Sequence, residues 1–393
     1  MGMLQKYRIL DLSRVLSGPY CSRMLADMGA EVIKVESITG EPMRRYPPFK
    51  GKHSSYFTQW NVGKKSICLD LRQEPAIELL KKIAVKSDVL LQNFRPGMLE
   101  NMGLGYPTLK QLNPGIILCS ISGFGQTGAE SSRLAYTDVV QAYSGLDYIA
   151  GKMNWSDNDP PGFPVSFADT YASLNACVAI LAALIHRDQT GEGQAIDISM
   201  LDAILASNDS TLQSFIFSDG KWDKPIGIWR APLKMKDGYM AASIALQFER
   251  TVHAIGMSEL LQDERFNTME KQVLNLKDFL EILRGWAKTQ TVAETSKLFD
   301  EHGIPYSKVN SIGEVVNSQV VKDRNMLVDM ELSGVGKVPV VNTPFKFSKT
   351  QTGPQGPPPF IGQHNQDILQ GLVGLSEEEY HTLEEKKVIW QER

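Results

Sequence analysis

The chain has 393 residues, 42% of them hydrophobic and 22% charged, a soluble globular composition with room for one large domain and a smaller one, or for two or three domains. Its formal net charge of −4 argues against a nucleic-acid surface but leaves room for a local basic patch facing an anionic ligand. Cys21, Cys68, Cys119 and Cys177 form no C-x-x-C pair and no zinc spacing, so they read as buried, reduced thiols of a cytoplasmic protein, and no metal site is expected.

The amino terminus has too short an apolar run for a secretory signal. Arg8 to Leu12 reads as a short strand ending in the polar loop S-R-V-L-S-G-P, Cys21 to Met28 as a helix closed by Gly29, and A-E-V-I-K-V-E as the next strand. From Pro42 to Gly63 the chain is rich in Tyr, Phe and basic residues and lacks periodicity, the mark of an excursion over a surface or active site rather than a packed element. Alternation resumes with S-I-C-L-D-L as a strand, Pro75 to Lys86 as a helix, D-V-L-L-Q and G-I-I-L-C-S-I as further strands, and Tyr136 to Leu146 as a helix. Apolar strands separated by helices imply a mostly parallel sheet covered on both faces, with ligands beyond the carboxyl ends of its strands. That geometry nominates Arg14, Ser17, Asn93, Phe94, Arg95 and the glycine loop Gly123–Gly128.

A Pro- and Gly-rich loop, Asn154 to Phe163, leads to the Asp169 stretch, Phe167–Leu184; the longest apolar-rich run, Ala168 to Ile185, is interrupted by Asp169, Thr170, Ser173 and Asn175, which argues against a membrane span. Q-A-I-D-I-S-M follows as a strand, then one helix over Leu201 to Phe217. Beyond a composition shift near Lys221 to Ala231 come a hairpin turned at Asp237–Gly238, helices near Leu246–Gly256, Val273–Lys288 and Val292–His302, and the strand I-P-Y-S-K-V. Val315 to Met326 reads as a returning linker helix, Val338 to Phe347 as strand-like, T-G-P-Q-G-P-P-P as an extended strap, and the segment from Ser376 as a solvent-facing helix. The expected division is residues 1–225 and 326–393 as parts of a large domain, with 226–325 as a small one.

The pattern Gly123-x-Gly125-x-x-Gly128 follows a strand, but the polar A-E-S-S-R-L after it cannot pack as a dinucleotide-binding helix, and no acid closes a second strand to hold a ribose. A flexible loop that lets backbone approach a ligand is the better reading. Asp169 has two compatible readings: an ordinary N-cap of its helix, or a reactive carboxylate kept ionised by the helix start. The basic residues before Gln73, Arg14 and Arg72 among them, are either solvated charge or an anion site. The six histidines show no ligand spacing, and no nucleophile elbow supports a Ser/His hydrolase.

Taken together, Leu10–Tyr20, Leu25–Glu36, Asn61–Leu71, Gln92–Gly97, Ser122–Gly128, the Asp169 segment and Gly191–Met200 resemble, in order and over essentially the whole chain, the class III coenzyme A transferases. That family includes formyl-CoA:oxalate and carnitine-linked CoA-transferases and the α-methylacyl-CoA racemases. The resemblance implies an α/β protein with a Rossmann-like large domain, a small domain and an interlocked, ring-like homodimer. It implies an acyl-CoA and a carboxylic acid as substrates, with CoA carried transiently as a thioester on Asp169 and no permanently bound cofactor. Leu16, Ser17, Arg72, Asn93, Phe94 and Met200 fall at the CoA-contacting positions; Arg14 stands where relatives often carry histidine and is expected to meet a phosphate. Tyr136 stands where the racemases have a histidine base. A neutral phenol is a poor base at pH 7 but a good donor to an acyl oxygen, which favours transfer over racemisation. Trp229 and Arg230 are read as an acyl-site wall and carboxylate anchor, or as a hinge. A racemase or isomerase and a non-catalytic CoA-ester-binding subunit are the alternatives.

Overall fold

The computed structural model describes residues 2–153, 165–208, 211–221, 232–244 and 247–392. The chain gathers into two compact units: Met1–Ser144 with Pro164–Ser207 and Val320–Arg393, and Gly145–Phe163 with Asn208–Gln319.

In chain order the elements are β1 (Arg8–Asp11), α1 (Ser17–Asp27), β2 (Glu31–Glu36), β3 (Phe49–Lys50), β4 (His53–Ser54), α2 (Ser55–Asn61), β5 (Lys65–Cys68), α3 (Glu74–Val85), β6 (Val89–Gln92), α4 (Met98–Asn101), α5 (Tyr106–Leu112), β7 (Ile117–Ser122), α6 (Thr137–Tyr143), α7 (Leu146–Met153), α8 (Phe167–Thr190), β8 (Ala195–Ser199) and α9 (Met200–Ser207). All but α7 belong to the first unit. Six strands form one sheet in the order β5-β2-β1-β6-β7-β8, every neighbouring pair parallel. Chain order reverses between β1 and β6, so the crevice at their carboxyl ends is where a ligand site is expected.

Side chains alternate across this sheet. On β1, Ile9 packs with Met24 and Leu25 of α1 and Ala172 and Ile180 of α8. Leu10 joins the opposite layer, with Leu79, Leu80 and Ile83 of α3 and Ile368 and Leu369 near the carboxyl terminus. Burial on both faces makes the strands continuous apolar runs, and therefore legible in the sequence. At β8 the fit is tight enough to require glycine: a Cβ on Gly193 would lie 1.9 Å from the Ile116 carbonyl oxygen.

The second unit contains β9 (Leu233–Lys234), β10 (Tyr239–Ala242) and β11 (Tyr306–Lys308) in an antiparallel sheet ordered β11-β10-β9. The expected turn is present, the Met235 N–H donating to the Gly238 carbonyl at 2.9 Å. Phe248, Phe266 and Phe279 pack in tilted and edge-on pairs at centroid distances of 4.7 to 5.9 Å in the core of this unit.

Three expectations are corrected. The stretch from Pro42 to Gly63 is only half the expected surface excursion: Pro42–Lys52 is largely exposed, but from His53 the chain is packed, with α2 capped by Ser54 accepting the Phe57 N–H and Phe57, Thr58 and Asn61 buried. Two of those three buried residues are polar, which hid the helix from hydrophobic periodicity. The single helix expected over Leu201 to Phe217 is not continuous: α9 ends at Ser207, Asn208 is non-helical, and a further helix spans Thr211–Phe217; Asn competes for helical hydrogen bonds. The linker helix expected over Val315 to Met326 is replaced by the short helices Ile312–Asn317 and Gln319–Asp323. The antiparallel hairpin of β12 (Leu327–Leu332) and β13 (Gly336–Val341) follows them.

Candidate functional site

The switch point is closed by a reciprocal hydrogen bond. The Arg14 N–H, in the turn after β1, donates to Asn93 Oδ1, and Asn93 Nδ2, just past β6, donates back to the Arg14 carbonyl, both at 2.8 Å. Asn93 Nδ2 also reaches Ser17 Oγ at 3.1 Å. Ser17 opens α1 and is buried there, and Ser173 Oγ of α8 donates to the carbonyls of both Ser17 and Asp169 at 2.7 Å. The ends of β1 and β6 thereby fix the start of α1 against the start of α8.

Asp169 lies at that junction. It is the third residue of α8, not its N-cap; Ser166 holds the N-cap position and makes no side-chain cap. The capping group is tertiary: buried Gln141 of α6 accepts the Phe167 and Ala168 N–H groups at 2.8 and 3.4 Å. Asp169 is thus free of capping, and its carboxylate instead faces Ser17 and Thr137, whose polar groups pull its pKa down, while Thr137 Oγ1 itself donates to Gln141 Oε1 at 3.2 Å. Ser17 and Thr137 are first residues of α1 and α6, so three helix starts, including that of α8, converge on one carboxylate. Burial nonetheless wins and pushes the carboxyl up to about 6, against the opposing pull of Ser17 and Thr137. The expectation that a helix start alone would keep Asp169 ionised is corrected in its balance. At pH 7 the carboxylate predominates, but its pKa is raised, and a raised pKa makes it a better nucleophile than an ordinary aspartate.

The other expected residues fall into two groups. Arg14, Arg72 and Phe94 line one cavity of about 340 Å³ at the carboxyl ends of β1, β2, β5 and β6, together with Ser37, Thr39 and Asp70. The Arg14 guanidinium lies 5.2 Å over the Phe94 ring, and Arg72 pairs with Asp70 at 2.7 Å, which holds the Asp70 carboxyl down at about 2. Leu16 is buried immediately before α1. Met200 begins α9 and is buried in the core cluster that also holds Ala168 and Ala172. Arg95 is exposed and is not among the residues lining the Arg14 cavity. Tyr136 precedes α6 and is 73% exposed; the neighbouring Thr137 is the residue that influences Asp169. Trp229 and Arg230 lie outside the described residues.

The glycine loop is a packed turn. A Cβ on Gly123 would meet Ala135 Cβ at 2.3 Å, Gly125 and Gly128 have φ of +88° and +96°, and the Gln126 N–H is held by Asp197 of β8 at 2.9 Å. Among the described residues no three His, Cys, Asp or Glu side chains assemble as a metal site.

Gln141, Thr137, Glu41 and Tyr56 were not singled out from the sequence. Tyr56, on the α2 helix that periodicity hid, is near enough to Asp169 and Glu41 that burial, then those two charges, push its phenol up to about 12. It stays protonated at neutral pH. For all four, the local sequence carries no signal, because each acts across a distance in the chain.

A half-buried, partly ionised carboxylate among polar groups can act as a nucleophile or as a proton acceptor. Either chemistry needs the ionised form, so kcat/KM is expected to fall about tenfold for each pH unit below about 6 and to plateau above it. A pH–rate profile from pH 5 to 8 checks this; a flat acid limb counts against Asp169.

The sequence profile of CoA-transferase family III matches residues 4–365. Succinyl-CoA:glutarate CoA-transferase of Mus musculus is 34% identical over 386 residues, 96% of this chain and 88% of the relative. Succinyl-CoA–D-citramalate CoA-transferase of Chloroflexus aurantiacus is 31% identical, with 98% of each chain covered. Among solved structures, a CaiB/BaiF family protein from Brucella suis superposes with a TM-score of 0.81 at 31% identity, covering 94% of this chain and 99% of its own. With the profile spanning most of the chain and curated CoA-transferases matching nearly its full length, this protein belongs to CoA-transferase family III and is a class III CoA-transferase.

Proposed function

We propose that this enzyme moves CoA from an acyl-CoA to a small carboxylic acid through a thioester on Asp169. The observation that carries the reading is the Asp169 carboxylate itself, half-buried at three helix starts with its pKa raised to about 6. An Asp169 oxygen attacks the donor thioester carbon, the C–S bond breaks, and CoA leaves as thiolate from a mixed anhydride. The thiolate attacks the aspartyl carbonyl carbon of that anhydride, releasing the donor acid as its carboxylate and leaving an aspartyl-CoA thioester. The acceptor carboxylate then runs the same two steps in reverse, giving a new acyl-CoA and free Asp169. No proton is gained or lost over the cycle. Exclusion of water is essential, because the anhydride would otherwise hydrolyse.

The cavity lined by Arg14, Arg72 and Phe94 suits the phosphates of CoA, offering two guanidinium groups. Relatives named for succinyl-CoA with glutarate or citramalate make succinyl-CoA the first donor to try, with short dicarboxylates as acceptors. The reading includes a homodimer with an inserted small domain. Leu174, Val178 and Ile185 lie on one face of α8 and are exposed, an apolar stripe that a second copy would cover.

Incubation with succinyl-CoA followed by mass spectrometry is expected to find CoA mass on the peptide that contains Asp169. The adduct is expected to disappear when acceptor acid is added. Turnover of donor and acceptor with no adduct at any time, together with an active Asp169→Asn variant, would sink the reading.

A further inference from the structure

Two unfavourable features meet in the turn between β1 and α1. Val15, a β-branched residue, holds φ at +67°, in the left-handed region that such side chains avoid. Its N–H donates to Glu41 Oε1 at 2.8 Å. Glu41 is itself buried, and its Oε2 has no hydrogen-bond partner among the described residues. Strained backbone and unsatisfied buried oxygens persist only where their surroundings impose them, and they gather at functional sites.

What this turn delivers lies two residues on, where Ser17 faces the Asp169 carboxylate and Ser173 Oγ ties the Ser17 and Asp169 carbonyls together at 2.7 Å each. One residue before Val15, Arg14 is locked to Asn93 through both of its backbone groups. Val15 must therefore reverse the chain in very little length, and Glu41 is the side chain that holds its N–H. Glu41 is well anchored for that purpose. Its own N–H donates to Glu36 Oε2 at 3.0 Å, and Glu36 is tied to Arg44 at 2.7 Å and to Ser66 Oγ at 2.6 Å.

We propose that Glu41 is a positioning residue for CoA transfer: its hydrogen bond to the Val15 N–H holds the left-handed turn that keeps Ser17 on the Asp169 carboxylate. The inference rests on the reading of Asp169 as the CoA carrier. The groups facing Asp169 are Ser17, Thr137 and Tyr56, with Glu41 in turn near Tyr56.

The test compares Glu41→Ala, Glu41→Gln and the double variant Glu41→Ala/Val15→Gly. Glycine takes φ of +67° without steric penalty, so it should hold the turn when Glu41 no longer does. Glu41→Ala is expected to lower kcat about tenfold. Its acid limb should move upward by about half a pH unit, because the Ser17 donors no longer oppose burial of Asp169. Glu41→Gln keeps an acceptor for the Val15 N–H and should retain kcat within about threefold. The double variant should recover most of the lost kcat and bring the acid limb back.

A Glu41→Ala protein with wild-type kcat and acid limb overturns the proposal. So does a folded double variant that stays as slow as Glu41→Ala, or, if Glu41→Ala does not fold, one as slow as a tenfold loss. The adduct on the Asp169 peptide of the wild-type enzyme is measured first. Its absence removes the carrier reading, whereas an adduct with unaffected Glu41→Ala turnover removes only the role of Glu41.

Discussion

Asp169→Asn is expected to lose CoA exchange by about 10³-fold or more while gaining stability at pH 8. Asparagine keeps the volume and an acceptor oxygen for the Ser17 and Thr137 donors, so the three helix starts still have a polar partner. It has no carboxylate to attack a thioester, and no thioester can form on it. The stability gain follows from the raised pKa. A carboxyl that titrates near 6 when folded, against an ordinary value near 4, binds its proton more tightly in the native state. The favourable contribution of that proton is full below about pH 4 and lost as pH rises through 6, so the ionised group is a liability at pH 8. For a partly exposed group the liability is about 1–2 kcal/mol. Urea denaturation at pH 8 should place the variant above wild type by that amount, with the difference closing towards pH 4. An Asp169→Asn enzyme that is both inactive and markedly less stable at pH 8 would assign the residue a structural role instead.

Asp11→Ala is expected to cost about 3–5 kcal/mol of folding stability. Asp11 ends β1 and is fully buried, with Lys64 Nζ at 3.1 Å and the Lys34 ammonium, also fully buried, donating to the Ser13 carbonyl at 2.9 Å. Burial alone would raise the Asp11 carboxyl. The charges of Lys64 and Lys34 and the hydroxyls of Ser13 and Ser22 overcome it and hold the group well below the usual carboxylate range. Removing the carboxylate leaves Lys64 to the neutral acceptors Pro19 carbonyl and Asn61 Oδ1, both at 3.0 Å. Glu36, the remaining carboxylate near Lys34, is already committed to Arg44. The uncompensated buried charge, rather than the lost pair energy, sets the size of the effect. Asp11→Asn/Lys64→Met removes both charges and should recover much of the loss in urea denaturation. If the double variant is no better than Asp11→Ala, charge burial is not the cause.

The Asp11–Lys64 pair also shows what the family motifs encode. Asp11 comes from L-D-L-S and Lys64 from N-V-G-K-K, two stretches that mark the resemblance, and together with Lys34 they form the buried floor under the turn that carries Ser17. Such residues look like surface charge in the sequence, because burial of a Lys side chain leaves no local pattern. Arg72, read from the sequence as an anion contact, spends its guanidinium partly on Asp70, so any phosphate it meets shares that charge.

The sequence by itself determined the parallel α/β layer, because strands buried on both faces are uninterrupted apolar runs and the intervening helices repeat regularly. It also determined the family and singled out Asp169, through motifs whose order and spacing span the chain. Only the tertiary structure decided what Asp169 experiences. Its helix is capped by Gln141 from α6, and its pKa is set by burial against the pull of Ser17 from α1 and Thr137 from α6. The physical reason is the range of the forces involved. Apolar periodicity and turn chemistry act between near neighbours in the chain, whereas desolvation and hydrogen bonding at a site depend on whatever the fold brings within a few ångströms.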